Sequence, residues 1–148
     1  MQGEAAFWDT SAIVPLCCFQ SSTKAAQNVH RRFNISIVWW ATTVEVHSSV
    51  NRLQRESVLS AEEAEKALLD WEKLNARAGR IMPDDELLRL AISLPSLYNL
   101  RAADALQLAA ALVWCNERPR NRPFVCADKR LSVAAQDAGF DVVEVGCG

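Results

Sequence analysis

The chain has 148 residues, with 16 Lys and Arg against 18 Asp and Glu and a formal net charge of −2. Residues 1–148 read as one domain, since domains commonly run ~100–150 residues and a chain of this size can build a core without disulfide or metal staples. Half of it is apolar and 23% is charged, which excludes a disordered or fibrous chain. The slight acidity speaks against nucleic acid only until the acids have been located.

Ala5 to Trp8 is a short apolar run that stops at Asp9-Thr10-Ser11, so it reads as a buried strand feeding a helix from Ser11, with Pro15 near its first turn. A second helix is predicted from Ser22 or Thr23 to Arg32. Asn34 to Trp40 alternates Ile35, Ile37 and Trp39 against Ser36 and Val38 and reads as a strand. Thr42 and Thr43 then offer a cap for a helix running through Arg55. Ser60-Ala61-Glu62-Glu63 has the form of a capping box, opening a helix with Ala64, Ala67, Leu68, Trp71 and Leu74 on one face and Gly79 as its stop.

Further on, Arg80 to Pro83 allows a short strand, and Asp84 or Asp85 caps a helix that Pro95 should limit. Arg101 to Cys115 is helical and apolar nearly all round, which predicts a buried position. A basic loop from Arg118 to Arg122 leads to a strand at Phe124–Ala127, a helix at Lys129–Ala138 closed by Gly139, and a last strand at Asp141–Val145. Strands alternating with helices give an α/β fold, a three-layer α/β/α sandwich around a short, mostly parallel sheet of four or five strands.

The five cysteines, at 17, 18, 115, 126 and 147, form no C-x-x-C pair. With only His30 and His47 as imidazoles, no zinc site is expected, and the thiols read as small buried hydrophobes in a reducing compartment. Met1 to Trp8 has neither the cationic start nor the apolar run of a signal peptide. Ala102 to Cys115, interrupted by Asp104 and Gln107, is too short to span a bilayer. The expectation is a cytoplasmic protein with no membrane association.

Chemistry enters through four acids. In open α/β sheets, ligands bind beyond the carboxyl ends of the strands. Asp9 follows the first strand, Asp128 follows the strand at Phe124–Ala127, and Glu45 and Asp104 sit in the first turns of their helices, so parallel strands bring all four to one edge. Each acid also has a structural role open to it: Asp9 and Asp128 as helix caps, Glu45 as a complement to the helix dipole. Asp104 lies in the most apolar helix, where an unpaired carboxylate costs several kcal/mol, unless a cation or a neighbour such as Arg101 compensates it. Converging carboxylates repel one another unless a divalent cation neutralises them, and hard oxygen ligands suit Mg²⁺ or Mn²⁺. An ion so held can activate water for in-line attack at a phosphate. No Walker A, G-x-G-x-x-G or G-x-S-x-G motif is present.

Four blocks, Phe7 to Val14, Thr43 to Val46, Leu100 to Ala109 and Phe124 to Leu131, with Ala138 to Val142 behind them, resemble the PIN-domain ribonucleases. The likeness is closest to the VapC-type toxins of bacterial toxin–antitoxin pairs and runs from Phe7 to Val145. It implies a three-layer α/β/α fold, Mg²⁺- or Mn²⁺-dependent endoribonuclease activity on RNA, a cognate antitoxin and a homodimer. It also implies that Asp9, Glu45, Asp104 and Asp128 are the family's acidic quartet. In that correspondence Asp9 and Asp104 contact the metal, Glu45 ligates or orients the attacking water, and Asp128 acts through water or on a second metal. Ser11 matches a hydroxyl that hydrogen-bonds the first Asp, although a plain helix cap is an equal reading of it.

Arg101, Lys129 and Arg130 flank the quartet in sequence, and Arg52 and Arg55 lie on the Glu45 helix, which makes them candidate phosphate contacts alongside the plainer reading as solvated surface charge. With the quartet neutralised by metal, the remainder of the chain is net basic, so the overall acidity does not exclude RNA. Two other classes stay open at this point. A receiver-type phosphoacceptor domain would want paired acids after the first strand, where this chain has Asp9 alone. A non-catalytic binding module on the same fold would not bind metal through these acids.

Overall fold

A computed structural model describes residues 4–146; Cys147 and the first three residues of the segment read for a signal peptide lie outside them. Among the described residues five strands form one sheet: β1 (Ala5–Trp8), β2 (Ile35–Trp39), β3 (Gly79–Ile81), β4 (Pro123–Cys126) and β5 (Asp141–Glu144). Their spatial order is β3-β2-β1-β4-β5, and every pairing is parallel. Seven helices among the described residues flank the sheet: α1 (Thr10–Cys17), α2 (Thr23–Arg32), α3 (Thr42–Arg55), α4 (Ala61–Arg77), α5 (Asp85–Tyr98), α6 (Ala102–Trp114) and α7 (Lys129–Ala138). The chain winds outward from β1 to β3 and then returns to the other side of β1 for β4. The topological switch point, where open α/β sheets place their ligands, therefore lies between β1 and β4.

Side chains alternate across the sheet and build a core on each face. Ala6, Trp8, Val38 and Val125 pack with α1 to α4, where Ile13, Val46, Val50 and Trp71 are fully covered. On the other face Phe7, Trp39, Phe124 and Cys126 pack with α5, α6 and α7. Phe7 stacks on Phe124 at 5.4 Å across the β1–β4 pair. This is the expected α/β/α sandwich. Because both faces are covered, the alternation along β2 does not separate core from solvent: Ser36 is buried, whereas Ile35 is 46% exposed at the strand's start. The buried central helix is also as expected, with Leu108 to Ala111 inaccessible on α6.

Several local expectations give way. Gly79 does not stop α4; Ala78 in extended conformation does, and Gly79 opens β3, where a Cβ would stand 2.8 Å from Ile37 Cδ1. Pro95 does not limit α5, which runs on to Tyr98 and ends where Asn99 turns left-handed at φ 55°. A proline forfeits one intrahelical bond and stops a helix only where packing does not hold it; here Leu94 is buried beside it. Pro15 lies inside α1, just past its first turn. Thr42 and Thr43 do not cap α3 but are its first two residues: Ala41 takes the cap position, and their hydroxyls accept hydrogen bonds from other helices. The Ser60–Glu63 capping box and the Gly139 stop, at φ 112°, form as predicted.

Cys17, Cys115 and Cys126 are buried free thiols, and Cys18 is half-buried. No helix among the described residues is long and apolar enough to cross a membrane.

Candidate functional site

The chain passes from β1 straight into α1, so Asp9 is at once the end of a strand and the cap of a helix. Its backbone is extended, at φ −71° and ψ 153°, and its carboxylate accepts the Ser11 N–H at 3.1 Å. The Ser11 hydroxyl donates to the same Asp9 oxygen at 2.5 Å and accepts the N–H of Ala127 at 2.9 Å, tying the end of β1 to the end of β4. Asp9 is 5% exposed. Burial pushes its carboxyl from 3.8 up to about 6; the Ser11 bonds oppose that rise, and the charges of Asp104 and Asp128 add to it.

Asp128 repeats the pattern after β4, capping α7 through the Leu131 N–H at 3.0 Å while remaining exposed. For both residues, capping and facing the cleft are compatible, because the cap leaves carboxylate lone pairs free.

Glu45 rises from the first turn of α3 and leans back toward β1. Thr10 Oγ1 donates to its Oε1 at 3.1 Å, and Gln107 Nε2 lies 3.2 Å from its Oε2. Burial, with the charge of Asp9 next in weight, raises its carboxyl from 4.5 to about 7. Asp104, on the first turn of α6, is half-buried at the helix's open end rather than enclosed as its apolar neighbours led one to expect. Desolvation and the charge of Asp128 raise its pKa, while Arg101 and Arg130 oppose the rise. Asp9, Glu45, Asp104 and Asp128 all line one cleft of about 520 Å³, with Ser11 and Arg52 also on its wall.

The expected basic residues divide. Arg52 lines the cleft; Arg101 and Arg130 act on Asp104 through their charge. Lys129 does not join them: it points to Glu144 on β5, with Nζ 3.3 Å from the carboxylate. Arg55 is not on the cleft wall either.

Three residues were missed by sequence reasoning. Gln107 is fully buried one turn beyond Asp104, and its amide nitrogen lies within 3.0 Å of Thr10 Oγ1, 3.2 Å of Thr42 Oγ1 and 3.2–3.4 Å of both Glu45 oxygens. Its one available signal was being the lone polar side chain in the stretch Ala105–Ala111, three residues from an acid and so on the same helix face. Thr10 is a relay between Gln107 and Glu45. Cys126 lies beneath Asp9, with Sγ 3.8 Å from the carboxylate and 3.3 Å from the Asp128 carbonyl; burial pushes its thiol up to about 12, so it stays neutral.

All the donors facing the cleft from these acids are hard oxygens, and the two deepest carboxylates are held above their ordinary range by burial, with the charges of neighbouring acids adding to the rise. Among the described residues, no three His, Cys, Asp or Glu side chains converge closely enough to enclose a metal ion by themselves. The donor set is one of hard carboxylate oxygens, which in chemical type suits Mg²⁺ or Mn²⁺ rather than a softer metal.

No family model matches the chain, and no curated protein matches it. Among solved structures it is similar to a chain in a toxin–antitoxin complex from Klebsiella pneumoniae, over 95% of this chain and 98% of that one, with a TM-score of 0.66 and 14% identity. At that identity the likeness speaks for the fold alone.

Proposed function

We propose that the protein is a divalent-metal-dependent endoribonuclease of the PIN type, acting as the toxin of a toxin–antitoxin pair. The observation that carries this reading is the convergence of Asp9, Glu45, Asp104 and Asp128 on one cleft at the switch point of a parallel sheet, with Asp9 and Glu45 held near neutral pKa values of about 6 and about 7. A fold shared with a component of a toxin–antitoxin complex adds support for the toxin role.

Asp9 and Asp104 would hold Mg²⁺ or Mn²⁺, with Asp128 reaching it through water. Such an ion, when bound, activates water and offsets the charge that builds on the scissile phosphate. The protein's own contribution is positional. Ser11 fixes the rotamer of Asp9 by donating to one oxygen, leaving the other free. Thr10 and Gln107 hold Glu45 so that it can orient the attacking water and accept its proton, a task suited to a carboxyl whose pKa lies near the working pH. Arg52 on the wall, and Arg101 and Arg130 beside Asp104, supply positive charge for the flanking phosphates of RNA.

The partners proposed with this reading are an RNA substrate, a cognate antitoxin protein and a second copy of the chain, in the cytoplasm. Leu88 and Ile92, one turn apart on α5 and 56% and 72% exposed, give the second copy an apolar contact to cover.

Purified protein incubated with RNA should cleave it when Mg²⁺ or Mn²⁺ is present and stop when EDTA is added. Asp9→Asn and Asp104→Asn should abolish cleavage while retaining the wild-type circular dichroism spectrum. Undiminished cleavage by both variants would overturn the assignment.

A further inference from the structure

A second cavity, of about 420 Å³, lies at the other end of β2 from Glu45. It is bounded by the ends of α2 and α4 and by the start of β2, and its wall includes His30, Asn34, Ser36, Lys73, Leu74 and Arg77. No acidic side chain lines it among the described residues. Lys73 and Arg77 stand one helical turn apart and enter no ion pair among the described residues, so their charges are not already committed to a carboxylate. At the floor is Ser36, 5% exposed, whose hydroxyl has no hydrogen-bond partner among the described residues.

That last feature calls for an occupant. A buried hydroxyl without a partner costs about 1–3 kcal/mol relative to one that is satisfied, and an alanine would fill the same place in the strand without that cost. The basic side chains taken alone have an ordinary use, since Lys, Arg and His in the last turn of a helix complement its dipole. Dipole complementation accounts for Arg77 and His30, but reaches neither Lys73, one turn further in, nor the Ser36 hydroxyl.

We infer that this cavity is a phosphate-binding site, in which Ser36 and Asn34 donate hydrogen bonds to phosphate oxygens and Lys73 and Arg77 supply the countercharge. Phosphate fits better than carboxylate because it presents acceptors in every direction, matching side-chain donors carried by the strand floor and by two helices. His30 stands at the rim with its ring edge-on to Trp8, centroids 5.6 Å apart, where one ring N–H is available as a further donor. The phosphate can belong to a small phosphate ester or to the backbone of RNA lying away from the carboxylate cleft. The inference does not depend on the nuclease reading, because the two sites share no residue.

The test is a titration of isotopically labelled wild-type protein with inorganic phosphate at constant ionic strength, followed by amide NMR. Saturable shifts should appear at Ser36, His30 and Arg77, with a dissociation constant at or below ~1 mM. Phosphate should also raise the melting temperature of the wild type by mass action. Lys73→Ala/Arg77→Ala should weaken binding about tenfold or more, as expected when charge-assisted hydrogen bonds are lost. Ser36→Ala should lose most of the phosphate-dependent thermal shift while melting no lower than wild type in phosphate-free buffer, because the hydroxyl it removes has no partner. Adenosine monophosphate and a short RNA, titrated separately, identify the source: shifts at the same amides from the monophosphate alone assign a small ester, and tighter shifts from RNA assign the backbone. Absence of saturable shifts at these amides up to about 10 mM phosphate, an order of magnitude above the affinity of a weak specific site, would overturn the inference. So would a Ser36→Ala variant that keeps the full thermal shift.

Discussion

The Ser11 hydroxyl sits between two strands, donating to Asp9 at 2.5 Å and accepting from the Ala127 amide at 2.9 Å. One side chain thus performs two tasks, fixing the orientation of the deepest carboxylate and closing the gap between β1 and β4. Ser11→Ala should leave the Ala127 N–H without its partner and remove one donor from Asp9. The expected loss is about 1–3 kcal/mol, measured by urea denaturation, together with a further rise in the Asp9 pKa. Ser11→Thr retains the hydroxyl and should recover most of the stability; a Thr variant as unstable as Ala would show that packing rather than the bridge is at stake.

Much of this architecture was legible from the sequence because it follows from short-range chemistry. Asp9, Ser60, Asp84 and Asp128 cap helices where their side chains reach the first free amides, and apolar runs too short for helices became strands of a covered sheet. What was not legible depended on distant contacts. Thr42 and Thr43 look like caps until Gln107 and Trp71, 65 and 28 residues away, claim their hydroxyls. Gly79 looks like a helix stop until Ile37 on the neighbouring strand takes the space a side chain would need. The apolar neighbours of Asp104 mark a buried helix, but a helix buried along its middle still opens its first turn to a cleft.

Gln107 gives a prediction that a sequence reading would not make. Gln107→Leu preserves volume but removes the amide donor facing Glu45. A carboxylate losing a donor holds its proton more tightly, so the Glu45 pKa should move above about 7. Carboxyl ¹³C NMR titration reads this directly. If Glu45 accepts the proton of the attacking water, the acid limb of the cleavage profile should move to higher pH in step. An unmoved Glu45 titration would show that Gln107 serves packing alone.

The division among basic residues predicts a matching division in RNA binding. Arg52 faces the cleft, whereas Lys129 faces Glu144. Arg52→Ala, measured in the background of Asp104→Asn to prevent cleavage, should weaken RNA binding and reduce the dependence of log affinity on log salt by about 0.7, the value for one phosphate contact on a single strand. Lys129→Ala should change neither, because its ammonium is turned to Glu144 on β5 and is not on the cleft wall. Equal effects from the two would place RNA across β5 instead of along the cleft.

The two raised carboxyls link the site to stability. Asp9 ionises near 3.8 in an unfolded chain and at about 6 in the fold; Glu45 moves from 4.5 to about 7. In both cases the native state keeps a proton that the unfolded state releases, so the unfolded state binds fewer protons through this window and stability falls as pH rises. The favourable contribution is complete below the unfolded values near 4 and is lost as pH passes through about 7. Metal-free protein should therefore melt several degrees lower at about pH 8 than at about pH 5, at ~2–4 °C per kcal/mol for a chain of this size. Asp9→Asn keeps a capping side chain but removes the buried charge, and should flatten the profile by raising the melting temperature at the alkaline end. Mg²⁺ should do the same for the wild type, by binding the folded state alone, and do little for the variant. A wild type that melts no lower at about pH 8, or an Asp9→Asn variant with an equally steep decline, would mean that these carboxyls are not held against their charge by the fold.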